Sequence, residues 1–273
     1  MSKQTHSQRV TVPDIRRRKG KEKIVSLTAY TAPIAALLDP HADLLLVGDS
    51  LGMVVHGLPT TIGVTLEMMI LHGQAVMRGS SHALVTVDLP FGTYERSPEQ
   101  AFESSVRIMK ETGCQAVKVE ACDGIAETIA FLVQRGIPVI GHVGLRPQAV
   151  HQDGGFKAKG RTAEERERVM AEARTVDAAG AFAIVLEGVS SDLAEAVTKA
   201  VAAPTIGIGA SAQCDGQILV TEDMLGFFEW TPKFVRRYAE LGTVIGGAVA
   251  AYAADVRSGD FPGEGETYRL KSH

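Results

Sequence analysis

Five short apolar runs in this sequence lead into an ionisable residue. Leu46-Val47 leads to Asp49, Thr86-Val87 to Asp88, Lys118-Val119 to Glu120, Ile140 to His142, and Val185-Leu186 to Glu187. If these residues meet, the carboxylates repel one another unless protons or a cation neutralise them. The carboxylates among them offer oxygen donors with no partnering cysteine. That is a hard set, suited to Mg²⁺ or a similar ion that keeps positions open for water and substrate. A metal so held acts as a Lewis acid, and a carboxylate or histidine beside it can move a proton. The plainer reading is that an acid after a strand caps the next helix. It suits any single position better than it suits all of them at once.

The elements that must position these residues can be read from hydrophobic patterning. Apolar, β-branched runs recur at Ile24 to Ala29, Leu44 to Val47, Ala83 to Val87, Ala116 to Val119, Ile137 to Ile140, Phe182 to Leu186 and Thr205 to Ile208, with a weaker one at Ile218 to Val220. Because they are continuous rather than alternating, they predict strands buried on both faces, as in a parallel sheet. Helical segments lie between them. Ser97-Pro98-Glu99-Gln100 reads as a capped helix start that Gly113 ends, and Thr162-Ala163-Glu164-Glu165 repeats the capping-box pattern ahead of Gly180. Seven or eight βα units predict an α/β fold of the (β/α)8 TIM-barrel type, with an open doubly wound sheet as the alternative sharing the same local pattern. In a barrel every strand C-terminus lies on one rim, so the five ionisable ends converge.

A length of 273 residues with 45% hydrophobic content suits one domain over residues 1–273, with a short helical N-terminal segment and a Gly/Pro-rich tail from Ser258. A formal charge of -4 gives no field to recruit nucleic acid or an anionic membrane. The run Arg16-Arg17-Arg18-Lys19-Gly20-Lys21 reads as a solvated helix end rather than a phosphate patch. Cys114, Cys122 and Cys214 form no CxxC pair and are odd in number, which fits a reducing cytoplasm better than a disulfide framework. The polar start MSKQTHSQRV has no apolar signal core, and no run is long enough to span a bilayer. Gly207-Ile208-Gly209-Ala210-Ser211 lacks the third glycine of a dinucleotide fingerprint. Gly154 to Arg161 reads as a polar flap over the rim.

The order of motifs makes a specific resemblance. LTAY at Leu27 to Tyr30, LVGDSLGM from Leu46, VDLPF from Val87, VKVE from Val117, GHVGLRPQ from Gly141, GGFKAKGR from Gly154, VLEG from Val185 and IGIGASAQCDGQILV from Ile206 occur as in the ketopantoate hydroxymethyltransferase family, over roughly Lys23 to Gly263. The resemblance implies that Asp49, Asp88 and Glu120 reach one Mg²⁺, directly or through water. It implies that Asp49, Ser50, Asp88 and Lys118 surround a 2-oxo acid, that Glu187 is the acid/base, and that His142 lines the same pocket. It further implies transfer of a hydroxymethyl group from 5,10-methylenetetrahydrofolate to 3-methyl-2-oxobutanoate, giving 2-dehydropantoate for pantothenate biosynthesis, in a large homo-oligomer, often a decamer.

Each of these residues keeps an alternative. Lys118 could neutralise adjacent acids, Glu187 could be a structural ion-pair partner, His142 a satisfied pocket histidine, and Ser50 a helix cap. Two positions depart from the family: Thr31 stands where an acid commonly follows the tyrosine of LTAY, and Ala121-Cys122 where glycines are frequent. Two rival functions are a folate-independent lyase or mutase of the phosphoenolpyruvate mutase/isocitrate lyase type, and a silent paralogue that only binds a 2-oxo acid. The rival lyases typically carry a KKCGH-like cysteine loop that this sequence lacks.

Overall fold

A computed structural model describes residues 9–268, so most of the polar N-terminus lies outside the described residues. Eight parallel strands close into a barrel in sequence order: β1 (Ile24–Thr28), β2 (Leu44–Val47), β3 (Leu84–Asp88), β4 (Ala116–Glu120), β5 (Val139–Gly144), β6 (Ala183–Glu187), β7 (Thr205–Ile208) and β8 (Gly216–Leu219), which pairs with β1. The weak eighth run is therefore a strand, beginning two residues earlier than its apolar part. The open-sheet alternative is excluded by the β1 to β8 pairing.

The continuous apolar runs separate into two packed faces. Alternate residues such as Leu45, Val47, Val85, Val87, Val117 and Val119 point outward into a core shared with the helices. Their neighbours Leu44, Leu46, Leu84, Ala116, Ile140, Ala183, Val185 and Ile206 fill the barrel interior, where Val10 and Ile15 from the N-terminal segment join them. At about 25 cal/mol per Å² of apolar surface removed from water, this double burial is the main stabilisation of the sheet. The interior changes character along the strands: its lower part is apolar, and its last residues are Asp88, Lys118, Glu120, His142 and Glu187.

Helix ends follow the sequence signals with one correction. The Ser97 hydroxyl accepts from the Gln100 N–H and Gly113 takes the left-handed cap at φ 81°. The capping boxes are only half formed, because Gln100 and Glu165 accept from the N–H groups of Arg96 and Arg161, one residue before each cap. The basic run ends the helix Val12–Arg17 as expected but is paired rather than simply solvated: Arg18 lies 2.6 Å from Asp43 and Lys19 2.9 Å from the buried Asp215.

Residues up to Val220 form one compact unit, which holds the barrel, and the chain from Thr221 forms a second. The second unit has its own helix, Leu241–Ser258, ended by Gly259 at φ 84°. No helix among the described residues is long and apolar enough to cross a membrane.

One glycine sets the seam between β5 and β6. Gly144 has φ +104°, and a Cβ there would stand 2.4 Å from the Glu187 carbonyl oxygen and 2.8 Å from Val189. Only a residue without a side chain lets the two strand ends approach this closely. Gly144→Ala should lower stability by about 2 kcal/mol or more, read as a fall in the urea midpoint at unchanged slope. A midpoint equal to that of the wild type would show that the seam is not so constrained.

Candidate active site

Strand register brings the rim residues together in pairs. Asp88 is the β-pair neighbour of Lys118, Glu120 of His142, and Gly144 of Glu187. Lys118 Nζ lies 2.9 Å from Asp88 Oδ1. His142 stands between two acids, with Nε2 3.2 Å from Glu187 Oε2 and Nδ1 3.6 Å from Glu120 Oε1, both outside good hydrogen-bond geometry. Asp49 arrives from the turn after β2, and its backbone N–H donates to Asp88 Oδ2 at 3.0 Å. All six side chains are buried except that of Glu187, which is 20% exposed and so remains open to a ligand.

The helix-cap alternative fails for these acids. The residues at the starts of the helices after β2, β3 and β4 are Ser50, Ser97 and Gly124, not Asp49, Asp88 or Glu120. Nor does Ser50 cap through its hydroxyl: it shares a 2.7 Å hydrogen bond with the Tyr30 hydroxyl instead. The Tyr30 carbonyl is 2.7 Å from His72 Nδ1, so its surroundings are well bonded although Thr31 is not acidic. Gly48 of the GDS turn is needed for proximity, since a Cβ there would meet Ser50 Oγ at 2.8 Å and Asp88 Oδ2 at 3.6 Å.

Two residues the sequence reading did not single out hold the cluster in place. Gln148 donates from Nε2 to Asp49 Oδ2 at 2.8 Å and to the Leu89 carbonyl at 3.0 Å, while its own backbone N–H points to Glu120. Tyr94 donates its hydroxyl to Gln148 Oε1 at 2.6 Å and accepts the Glu120 N–H at 3.2 Å. Both are buried. Gln148 ends the GHVGLRPQ motif and Tyr94 follows VDLPF by three residues. As neutral polar side chains they add nothing to a charge pattern, which is why only the folded contacts expose their role. The expected flap is tied down beside the acid/base candidate: Lys159 N–H donates to the Gly188 carbonyl at 2.8 Å.

The electrostatics are those of crowded acids around one cation. Burial, then the neighbouring Asp88, pushes the Asp49 carboxyl up to about 7. Burial and Asp49 likewise hold Glu120 well above the usual carboxylate range. Burial works against the charge of Lys118, but Asp88, Asp49 and Glu120 outweigh it and hold the ammonium raised. Burial and then Lys118 lower the pKa of His142, which is therefore a neutral imidazole at pH 7.

The family model described as ketopantoate hydroxymethyltransferase matches residues 9–264. The chain belongs to that family. It is 67% identical to a 3-methyl-2-oxobutanoate hydroxymethyltransferase of Hyphomonas neptunium, over 99% of this chain and 98% of the relative. It is 66% identical to one of Phenylobacterium zucineum, over 97% and 96%. Among solved structures, a 2,3-dimethylmalate lyase of the PEP mutase/isocitrate lyase superfamily aligns at TM-score 0.60 and 18% identity, over 96% of this chain and 93% of the other. A phosphonopyruvate hydrolase complex with oxalate and Mg²⁺ aligns at TM-score 0.60 and 13% identity, over the same shares. At such identities these two share the fold alone.

The raised Asp49 pKa has a consequence for this family member's stability. A carboxyl that holds its proton more tightly folded than unfolded makes the folded state bind more protons between its ordinary 3.8 and about 7. Stability is then present at low pH and is lost as pH rises through that window. Asp49→Asn should flatten this slope in metal-stripped protein, so that its melting temperature exceeds that of the wild type at pH 8 but not at pH 4. A variant that keeps the wild-type slope would assign it to another group.

Proposed function

We propose that the chain is a 3-methyl-2-oxobutanoate hydroxymethyltransferase. It joins the one-carbon unit of 5,10-methylenetetrahydrofolate to C3 of 3-methyl-2-oxobutanoate, consumes water, and releases 2-dehydropantoate and tetrahydrofolate, a step of pantothenate biosynthesis. The observation that carries this reading is the convergence of Asp49, Asp88, Lys118, Glu120, His142 and Glu187 on one barrel mouth in a member of this family.

Mg²⁺ suits the chemistry of the mouth. One ammonium faces four carboxylates, and burial with mutual repulsion pushes Asp49 and Glu120 towards their protonated forms. A divalent cation removes that imbalance, and the available donors are hard oxygens. Among the described residues no three acids, histidines or cysteines stand positioned to hold a metal ion by themselves. Asp49, Asp88 and Glu120 are the residues that would hold it. When bound, it supplies Lewis acidity to the carboxylate and keto oxygens of a 2-oxo acid and favours the enolate form.

The chain's own residues carry the proton and charge. Glu187, the rim acid open to a ligand, takes the C3 proton, and the substrate's C–H electron pair becomes the carbon nucleophile. His142 Nε2 lies 3.2 Å from that carboxylate and lines the same space. Lys118 offsets the negative charge on the substrate carboxylate or enolate oxygen. Ser50, fixed by Tyr30, borders the same space. The carbon nucleophile bonds to the one-carbon unit and water supplies its hydroxyl oxygen, while the two C–N bonds to the carrier break and the C3 proton and one proton of water pass to its nitrogens, which releases tetrahydrofolate. Family membership does not favour the folate-independent lyase, and the intact set of ionisable groups weighs against a silent paralogue.

The reading extends to a cytoplasmic homo-oligomer, in line with the decamers of the family. Three free cysteines fit a reducing compartment. The helix Leu241–Ser258 of the second unit buries none of its residues and exposes Val244, Ile245, Val249, Tyr252 and Val256, an apolar surface that suits burial against another copy.

Proton NMR in D₂O tests the function directly. With 3-methyl-2-oxobutanoate and Mg²⁺ the C3 proton signal should decay, and adding 5,10-methylenetetrahydrofolate should give the hydroxymethyl product. Glu187→Gln should slow the exchange by about 10²- to 10⁴-fold. Absence of any exchange in folded, Mg²⁺-supplied protein would sink the enolate mechanism.

A further inference from the structure

A cavity of about 870 Å³ adjoins the carboxylate cluster. Its inner wall includes Tyr94, Glu120 and Gln148, so it shares that wall with the proposed metal and oxo-acid site. A small branched oxo acid held at Asp49, Asp88 and Lys118 does not account for this space, which is the size of a site for a much larger molecule. Its outer wall comes from the loop after β5 and from one face of the helix Ala163–Ala178, where Arg168, Glu172 and Thr175 recur at helical spacing.

Two lining residues are unusual. Glu172 is half-buried, yet among the described residues no hydrogen bond or ion pair holds its carboxylate. Burial pushes its carboxyl up, and Arg146 and Arg168 pull it back without reaching ion-pair distance. A desolvated carboxylate without a donor is costly unless a ligand provides one. Phe91 lines the same cavity and leaves 47% of its surface exposed, an aromatic face available for stacking. An aromatic face and an acceptor-only carboxylate together suit a flat heterocycle whose edge carries several N–H donors.

We propose that this cavity is the subsite for the reduced pterin of the one-carbon carrier, with the ring against Phe91 and its amino-pyrimidine N–H groups donating to Glu172. The assignment rests on the hydroxymethyltransferase reading and adds where the second substrate sits. It places the carrier beside Tyr94, Gln148 and Glu120, next to the oxo-acid site. Neither Phe91 nor Glu172 belongs to the buried core, and exchanging them leaves the barrel packing untouched.

Calorimetric titration with tetrahydrofolate, and with tetrahydropterin lacking the aminobenzoyl-glutamate tail, tests the assignment. Wild type should bind both. Glu172→Gln should weaken both by roughly 10- to 100-fold, the loss of a charge-assisted hydrogen bond. Phe91→Ala should weaken both by about tenfold. At subsaturating carrier, the ratio of product formation to C3 proton exchange should fall by the same factors. Wild-type affinity for both ligands in both variants would overturn the subsite while leaving the proposed function standing. If wild type exchanges the C3 proton but neither binds tetrahydrofolate nor forms product, the hydroxymethyltransferase reading fails, and the subsite falls with it.

Discussion

The site depends on one electrostatic constraint: four carboxylates are confined with a single ammonium at the mouth of a barrel that excludes water from most of them. Lys118 lies 2.9 Å from Asp88 and cannot balance Asp49, Glu120 and Glu187 as well. The excess negative charge shows in the raised carboxyls of Asp49 and Glu120. A folded chain tolerates such a cluster only if other interactions outweigh it, and here the apolar interior below and the helix-facing core outside the strands do so. The strain is local, and the same repulsion favours a cation at the mouth.

Holding unlike-placed acids at fixed separations requires more than the strands. Gln148 and Tyr94 form a buried bracket that binds Asp49 and the backbone of Glu120 at once. Ser50 and Tyr30 form a second brace on the opposite side, and His142 fills the gap between Glu120 and Glu187. Preorganisation of this kind lowers the reorganisation that chemistry at the site would otherwise need. It also divides the acids by environment: Asp49, Asp88 and Glu120 are buried, whereas Glu187 is partly exposed.

The fold is shared with lyases, mutases and hydrolases that are less than a fifth identical to this chain. What separates this chain from them is therefore not the barrel but the side chains on its rim and the loops around it. Family membership rests on a match over residues 9–264, and the strand ends deliver Asp88, Lys118, Glu120, His142 and Glu187 to a common mouth.

Much of this was legible in the sequence by itself. Eight apolar runs, their continuous rather than alternating character, and the ionisable residues at their ends determined the strands, the parallel sheet and which charged groups meet at the rim, because burial on both faces leaves a one-dimensional signature. Local caps at Ser97 and Thr162 were equally readable, since they depend on residues three apart. Closure through the weak β8, the partial exposure of Glu187, the turn of Ser50 towards Tyr30, and the bracket of Gln148 and Tyr94 were decided only in three dimensions. Gln148 reaches Asp49 across 99 residues of chain. Contacts over such separations are set by barrel register and packing, and a neutral side chain in a loop carries no mark of them until the strands have closed.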